Sequence, residues 1–358
     1  MDKKELQGTQ NNFLESVSEI LESARKNAKT SVNLSMVYAY YEIGRRIVEE
    51  EQQGENRAAY GKQLLKELSE YLTKHYGKGY SADNLKLMRR FYMVYSHDPI
   101  GETPFPQFSH LPAVDTGRRF LLSWSHYLKL MRIKNPEERC FYEIEAVKND
   151  WSLNELRRQC DSALYERLAL SKDKESVYRL ALEGQKVDQP KDAVKDPYVL
   201  EFLGLPELPA YSESELESRI IDHLQQFLLE LGTGFTFVGR QVRFTFEEDH
   251  FLVDLVFYNR LLRCFVLFDL KIGKLKHQDI GQMQMYVHYY DRYQKLPDEN
   301  PTIGILLCQE KNDAVVKMTL PENSNIFASK YETVLPSKEE LQKLLEEHLS
   351  EENGGEEL

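Results

Sequence analysis

Apolar residues recur at helical spacing through the first half of the chain. In NNFLESVSEILESARKNA, Phe13, Leu14, Val17, Ile20 and Leu21 fall on one helix face. VNLSMVYAYYEIGRRIVEEEQQ predicts a second helix ending near Gly54, and KQLLKELSEYLTKHYG a third, stopped at Gly77. After the short GKGY, Ser81 is placed to cap SADNLKLMRRFYMVY, so the order here is helix, short turn, helix. Residues 97–118, rich in Pro, Gly and Ser, predict a loop. Helices resume at WSHYLKLMRI and ERCFYEIEAVKN, and WSLNELRRQCDSALYERLAL opens on a capping box, Ser152 to Glu155. Residues 184–198 are polar, carry two prolines and show no apolar period, which predicts a linker.

Past the linker the period changes. SESELESRIIDHLQQFLLELG is an amphipathic helix pattern stopped at Gly232. Three runs rich in Val, Phe and Leu follow, FTFVGRQVRFTF, FLVDLVFYN and RCFVLFDLKI, with NRLL suited to a hairpin between the last two. DIGQMQMYVHYYDRY predicts a helix, and TIGILLCQ a strand apolar on both faces. A short helix near Asp313–Met318, a strand near Ile326–Tyr331 and a terminal helix opened by a Ser337–Glu340 capping box complete the chain. The expected class is α+β, with an α/β second half: an all-helical domain over 10–183, a linker over 184–198, an αβββαβ mixed-sheet domain over 199–336, and a terminal helix with an acidic tail over 337–358.

A length of 358 residues suits two domains. The net charge of −12 argues against a nucleic-acid partner when taken as a sum, but it is unevenly placed. Residues 1–180 carry 28 Lys+Arg against 26 Asp+Glu, whereas residues 181–358 carry 18 against 32, so the acidity belongs to the second half and its tail. Binding reads local charge, so the objection does not reach the helical domain. No run of about 18 apolar residues occurs, which predicts no membrane span. MDKKELQGTQNN lacks the apolar core of a secretory signal. Cys140, Cys160, Cys264 and Cys308 form no CxxC pair and no zinc spacing, so buried thiols in a reducing cytoplasm are expected. The histidines make no HxxxH or HExxH pair, and no P-loop appears.

Two carboxylates interrupt the apolar strands. Asp254 lies between Val253 and Leu255, and Asp269 ends the apolar run of FVLFDLKIG. Burying a carboxylate costs several kcal/mol unless it is paired or binds a metal. Side chains in a strand alternate with period two, so Lys271 shares a face with Asp269. If the two strands form a hairpin, Asp254 and Asp269 converge, and a hard divalent cation, Mg²⁺ or Mn²⁺, would relieve their repulsion. A lysine beside them can orient or deprotonate a water and stabilise a phosphate oxyanion. A structural Asp–Lys ion pair at a sheet end is the competing reading. Glu217, in the preceding helix, is a candidate third carboxylate, with Glu213, Glu215 and Asp222 as competitors. Gln282 and Tyr286, four apart, share a helix face. Candidate nucleic-acid contacts are Lys86, Arg89 and Arg90 on the second helix of the helix–turn–helix, Arg157 and Arg158, and Arg240, which either faces a phosphate or pairs with a carboxylate. His277 lies near the site in sequence, and Tyr38, Tyr40, Tyr41 and Tyr92 read as core rather than as base-stacking residues.

Asp254, then Asp269-Leu270-Lys271 one hairpin later, then Gln282-x-x-x-Tyr286, resembles the PD-(D/E)XK nuclease superfamily, whose restriction-endonuclease-like core is similar to the αβββαβ order. More closely, the chain resembles the YhcG family of bacterial nucleases over about residues 13–335. The stretches that carry this are FLLELGTGFTFVGRQ, VDLVFYNRLLRCFVLFDLKIGKLKHQDIGQMQMY, YYEIGRRIVEEEQQGENRAAYG, LSWSHYLKLM and WSLNELRRQ. The resemblance implies a Mg²⁺- or Mn²⁺-dependent phosphodiesterase. Asp254 and Asp269 would hold the metal, Glu217 would be the helix carboxylate, Lys271 the catalytic lysine, and Gln282 and Tyr286 the QxxxY element. Val253 stands where the motif has proline, and Asp269 is shorter than the Glu of many relatives. The resemblance further implies a winged-helix-like DNA-binding N-terminal region and a DNA endonuclease of bacterial defence, restriction or mobile-element DNA. An RNA or branched-structure nuclease and a non-catalytic DNA-binding or assembly module are the alternatives. The expected partners are DNA or RNA, and a second copy of the chain or a restriction-system protein, with no membrane.

Overall fold

The computed structural model describes residues 3–53, 57–96, 120–170, 174–187, 189–207, 211–246, 248–311, 313–321, 324–343 and 345. The chain forms two compact units, residues 1–157 and 158–358. The division precedes the polar stretch at 184–198 from which a boundary was expected. Val187 and Ala193 of that stretch are buried with Tyr198 in a hydrophobic core of the second unit. Their spacing is too irregular to register as a period, but it is sufficient to pack the segment down.

The first unit is helical. α1 (Lys3–Gln53) is one helix of 51 residues, where two were expected. The polar KTSVN between the two apolar patterns contains neither Gly nor Pro, so nothing breaks the backbone there. α2 (Arg57–Tyr76) and α3 (Ala82–Ser96) follow, joined by a turn in which Gly77 and Gly79 take positive φ. Ser81 Oγ accepts the Asn84 N–H at 3.3 Å, the cap its position predicts. Ile47, Leu65, Leu85 and Met88 pack α1, α2 and α3 together. α4 (Trp124–Leu130) and α5 (Pro136–Lys148) close the unit, the latter capped by Asn135. Tyr41, Phe91, Tyr95, Phe120 and Tyr127 meet as tilted or edge-to-face rings, so Tyr41 belongs to the core as expected. The helix–turn–helix is present, and no strand of the expected wing lies among the described residues of this unit. The loop expected at 97–118 lies outside the described residues.

α6 (Leu153–Asp161) and α7 (Leu164–Ala169) were expected as one helix. They part at Ala163, which takes φ 50°, and Arg167 Nε captures the freed Ser162 carbonyl at 2.9 Å. After α8 (Lys174–Glu183) and β1 (Tyr198–Val199), the single helix expected before Gly232 is likewise two, α9 (Glu213–Asp222) and α10 (Leu224–Leu231), broken at His223. β2 (Phe235–Phe246), β3 (Asp249–Asn259) and β4 (Cys264–Lys274) form an antiparallel meander. Asn259 Oδ1 accepts the N–H groups of Leu261 and Leu262, which closes the NRLL hairpin. α11 (His277–Tyr293) crosses back to β5 (Ile303–Glu310), parallel to β4, and α12 (Asp313–Thr319) leads to β6 (Ile326–Glu332), parallel to β5. The sheet order is β1-β6-β5-β4-β3-β2. One face buries Leu216, Ile220 and Phe227 of α9 and α10 against Leu255, Phe257 and Phe268. The other buries Ile280, Met283 and Tyr286 of α11 against Val253, Val256 and Leu267. The αβββαβ expectation is met, with helices on both faces. All four cysteines are buried and none forms a disulfide.

Gly44 of α1 sets the closest approach between α1 and α3, because a methyl group there would overlap the Met88 carbonyl. Helix propensity alone would make Gly44→Ala stabilising by about 1 kcal/mol. A backbone carbonyl cannot rotate aside, and overpacking costs about 1–3 kcal/mol. Gly44→Ala therefore lowers stability in chemical unfolding. A neutral or more stable variant would contradict this helix crossing.

Candidate active site

The site begins where the β3–β4 ladder stops. Backbone pairing runs from Asn259↔Cys264 to Leu255↔Phe268 and ends there. At the next step the Asp254 carboxylate takes the place of a strand: its Oδ2 accepts the Leu270 N–H at 2.8 Å. The two strands thus separate at the end where Asp269 and Lys271 follow. Asp269 is buried, and its Oδ2 lies 2.8 Å from Lys271 Nζ. That contact has ion-pair distance but not hydrogen-bond geometry, so Oδ2 is a buried acceptor with no hydrogen bond made to it.

α9 brings two carboxylates to this opening. Glu217 is buried and accepts a short hydrogen bond from Gln241 Nε2, and the same amide donates to Asp254 Oδ1 at 3.1 Å. Glu213, one turn earlier, accepts the Ile272 N–H at 3.2 Å, beside Lys271. Glu215 and Asp222 are exposed. The four candidates for the helix carboxylate thus reduce to Glu217 and Glu213. Arg240 is half-exposed with Nε 3.6 Å from Glu217, so it pairs with a carboxylate and keeps an open side.

Burial pushes the Asp269 carboxyl above its ordinary range, and the Lys271 ammonium only partly opposes that while Asp254 adds to it. Asp254 is also raised by burial, against the Leu270 N–H and Lys271. Glu217 is raised by burial, with Gln241 opposing and Asp254 reinforcing. Lys271 itself is raised: burial lowers it, but Asp269 with Glu213 and Asp254 together more than offset this. The site therefore holds more negative charge than its lysine neutralises. Its donors are all hard oxygens, one of them buried with only the Lys271 ammonium beside it, and this fits a hard divalent cation. Among the described residues, no three of His, Cys, Asp and Glu yet sit together as a metal-holding group. The Gln241 amide bridges Glu217 and Asp254 instead.

Gln282 and Tyr286, expected as a catalytic pair, bond to each other, and Tyr286 lies within electrostatic reach of Asp269, Asp254 and Lys271. Gln282 Nε2 donates to the Tyr286 hydroxyl, which donates to the Leu252 carbonyl at 2.9 Å. They anchor α11 to β3 two residues before Asp254, and their polar atoms are engaged there. His277 is exposed at the start of α11 with no contact to the carboxylates. Among the basic candidates, Lys86 pairs with Asp83 and Arg89 with Glu51, and both line a cavity of about 870 Å³ with Lys62. Arg90 donates to the Met131 carbonyl at 2.7 Å, and Arg157 is exposed. Arg158 is not available as a phosphate contact. It is held by Glu201 and Glu230 and by the Val199 carbonyl, and its guanidinium lies over Phe202.

Sequence reasoning gave Gln241 no role. It sits in β2 opposite Asp254 with φ 46°, a left-handed conformation that costs a non-glycine residue about 1–2 kcal/mol. The irregular pairing between Phe237 and Gly239 just upstream shifts the strand. The one available signal was a polar Gln directly after GR in an otherwise alternating strand.

A family profile described as "YhcG PDDEXK nuclease domain" matches residues 191–346, and one described as "DUF1016 N-terminal domain" matches residues 16–167. A protein of Escherichia coli (strain K12) described as "Putative nuclease YhcG" is 42% identical over 338 residues, covering 90% of each chain. The chain belongs to the YhcG family. Its second unit accordingly carries a PD-(D/E)XK nuclease domain. Among solved structures, a repair endonuclease from Pyrococcus abyssi shares 19% identity over 36% of this YhcG-family chain and 50% of that one, at a TM-score of 0.24. The structure described as "EndoMS-dsDNA2 complex" shares 19% over 37% and 48%, at 0.26. Likenesses at these scores carry no functional weight.

The raised Asp269 carboxyl gives a signed pH dependence for the metal-free protein. As pH rises from the ordinary carboxylate range, about 4, the unfolded chain releases this proton while the folded chain keeps it. The unfolded state then binds fewer protons, so stability falls with rising pH. In EDTA, Asp269→Asn is more stable than wild type at pH 7 and equal to it near pH 4, read by thermal unfolding. A wild type whose advantage over the Asn variant grows between pH 4 and 7 would contradict the assignment.

Proposed function

We propose that this protein is a Mg²⁺- or Mn²⁺-dependent nuclease that hydrolyses phosphodiester bonds in DNA, cutting as an endonuclease in bacterial defence, restriction or mobile-element DNA. The observation that carries the reading is the opened end of the β3–β4 hairpin, where Asp254 and the buried Asp269–Lys271 ion pair stand together beside Glu217. Asp254, Asp269 and Glu217 would hold the cation, with Glu213 the alternative to Glu217. When bound, the cation supplies Lewis-acid stabilisation of the charge that builds on the phosphate and on the departing oxygen. Lys271, held as an ammonium beside Asp269, orients the attacking water and donates to the phosphate oxygen on which charge builds; the water's proton passes to a site carboxylate or to solvent as the new P–O bond forms, and the departing oxygen leaves as the old one breaks. Gln241 holds Glu217 and Asp254 at a fixed separation. Tyr286 and Gln282 fix the backbone of β3 that carries Asp254. Lys62, Lys86, Arg89 and Arg157 of the helical unit, with Arg240, are the sequence-tolerant phosphate contacts.

The test uses purified full-length protein with supercoiled and linear DNA, matched RNA and branched DNA, each with Mg²⁺ or with EDTA. Cleavage of DNA that EDTA abolishes is expected, and Lys271→Ala and Asp254→Asn each reduce it by about 10²–10⁴-fold. Cleavage of RNA alone would move the substrate assignment. A Lys271→Ala protein that cuts at the wild-type rate would remove Lys271 from the chemistry.

Gln241→Ala leaves the fold in place and lowers Mn²⁺ affinity by about 10–100-fold, the usual effect of losing a group that orients metal ligands. Calorimetry without nucleic acid reads this directly. Unchanged affinity would mean that the amide is structural only.

A further inference from the structure

The first half of α1 carries an apolar stripe whose described side chains are all exposed. Among the described side chains of α1, the first buried one is Val37. Before it, Val17, Ile20, Leu21, Ala24, Ala28 and Val32 are all exposed, Ile20 by 67%, Leu21 by 54% and Val32 by 62%. Their spacings of three and four residues place them on one side of the helix, along about 22 Å. A contiguous exposed stripe of this kind differs from single apolar residues scattered over a surface, because it repeats where a partner helix would need it. Val17 and Ala24 lie seven apart, as do Leu21 and Ala28, and the two series are offset by four. This is the seam of a two-stranded coiled coil.

Charge decides the occupant and its direction. In the sequence of this stretch the acidic residues Glu15, Glu19 and Glu22 all precede the basic residues Arg25, Lys26 and Lys29. A parallel copy would set like charges together along the whole length. An antiparallel copy sets the acidic half of each helix against the basic half of the other. The same direction brings Leu21 opposite Ala24 and Val17 opposite Ala28, a large side chain against a small one at each of these seam positions. We propose that a second copy of this chain covers this seam, by antiparallel pairing of residues 17–28 of two α1 helices about a two-fold axis between residues 22 and 23. The proposal is independent of the nuclease reading.

Sedimentation of the full chain is the test. The wild type is expected to show a monomer–dimer equilibrium with a dissociation constant on the order of micromolar. Ile20→Glu with Leu21→Glu weakens it by about 100-fold or more, through loss of two buried apolar side chains per copy. Both positions are exposed in the monomer, so circular dichroism is unchanged, and so is the unfolding transition when it is measured well below the dimer's dissociation constant. Reversing Arg25, Lys26 and Lys29 to Glu, or Glu15, Glu19 and Glu22 to Lys, gives a monomer in each case, and an equal mixture of the two restores the dimer. Because the native cysteines are all buried, spin labels report direction cleanly. Labels on Glu22→Cys lie close together, whereas labels on Val32→Cys lie about 28 Å apart along the helix axis. A wild type that is monomeric up to about 100 times the micromolar range overturns the proposal. So does a dimer indifferent to the glutamates at 20 and 21, or a close approach of the labels at 32.

Discussion

The second unit depends on one hydrogen bond that a carboxylate makes in place of a strand. A β-ladder continues as long as each backbone group finds its partner across the gap. At Asp254 the side chain accepts the Leu270 N–H, and the pairing of β3 with β4 ends at Leu255↔Phe268. Everything chemical lies beyond that step. The opening leaves Asp269 and Lys271 clear of the ladder, gives α9 room to bring Glu217 and Glu213 to the gap, and lets Gln241 on β2 reach across to Asp254. Tyr286 holds the far side by bonding the Leu252 carbonyl. A conventional hairpin of the same length would have buried these groups in hydrogen-bonded register.

The same unit contains a control for what burial does to a carboxylate. Glu230 is fully buried, and burial alone would raise it, yet Arg167, Lys195 and Arg158 hold it down at about 2. Its Oε1 also accepts the Val199 N–H at 3.0 Å. Asp269 is buried to a similar degree and is raised, because one lysine faces several carboxylates. The difference is the number of cations, not the depth. Glu230 is a finished structural network that ties α7, α10 and β1 together, and this is where Arg158 belongs. The Asp254–Asp269–Glu217 group is short of positive charge, which is the imbalance the proposed divalent cation would relieve.

Much of this was legible in the sequence because charged residues in apolar strands are conspicuous. Asp254, Asp269 and Lys271 stood out by that rule, and period two correctly put Asp269 and Lys271 on one side. The order of elements along the chain followed from the texture of three β runs, a helix and a buried run, whereas the two-residue strand β1 left no such mark. Other features were hidden for physical reasons. The breaks at Ala163 and His223 occur at residues with no breaker chemistry, forced by packing rather than by propensity. The joining of two expected helices into α1 needed only the absence of Gly and Pro. Gln241 was missed because its role comes from a left-handed backbone and a shifted strand pairing, neither of which leaves a mark in composition. Arg158 looked like a surface cation because its acidic partners, Glu201 and Glu230, are 43 and 72 residues away in sequence.

The central claim is that Asp254 and Asp269 are two walls of one cation site. A crystal of the protein soaked in Mn²⁺ and measured at the manganese absorption edge tests this most directly. The account predicts an anomalous peak bonded to oxygens of both Asp254 and Asp269, with a carboxylate of α9 drawn in as a further ligand. A peak elsewhere, or none between these two side chains at saturating Mn²⁺, would contradict it.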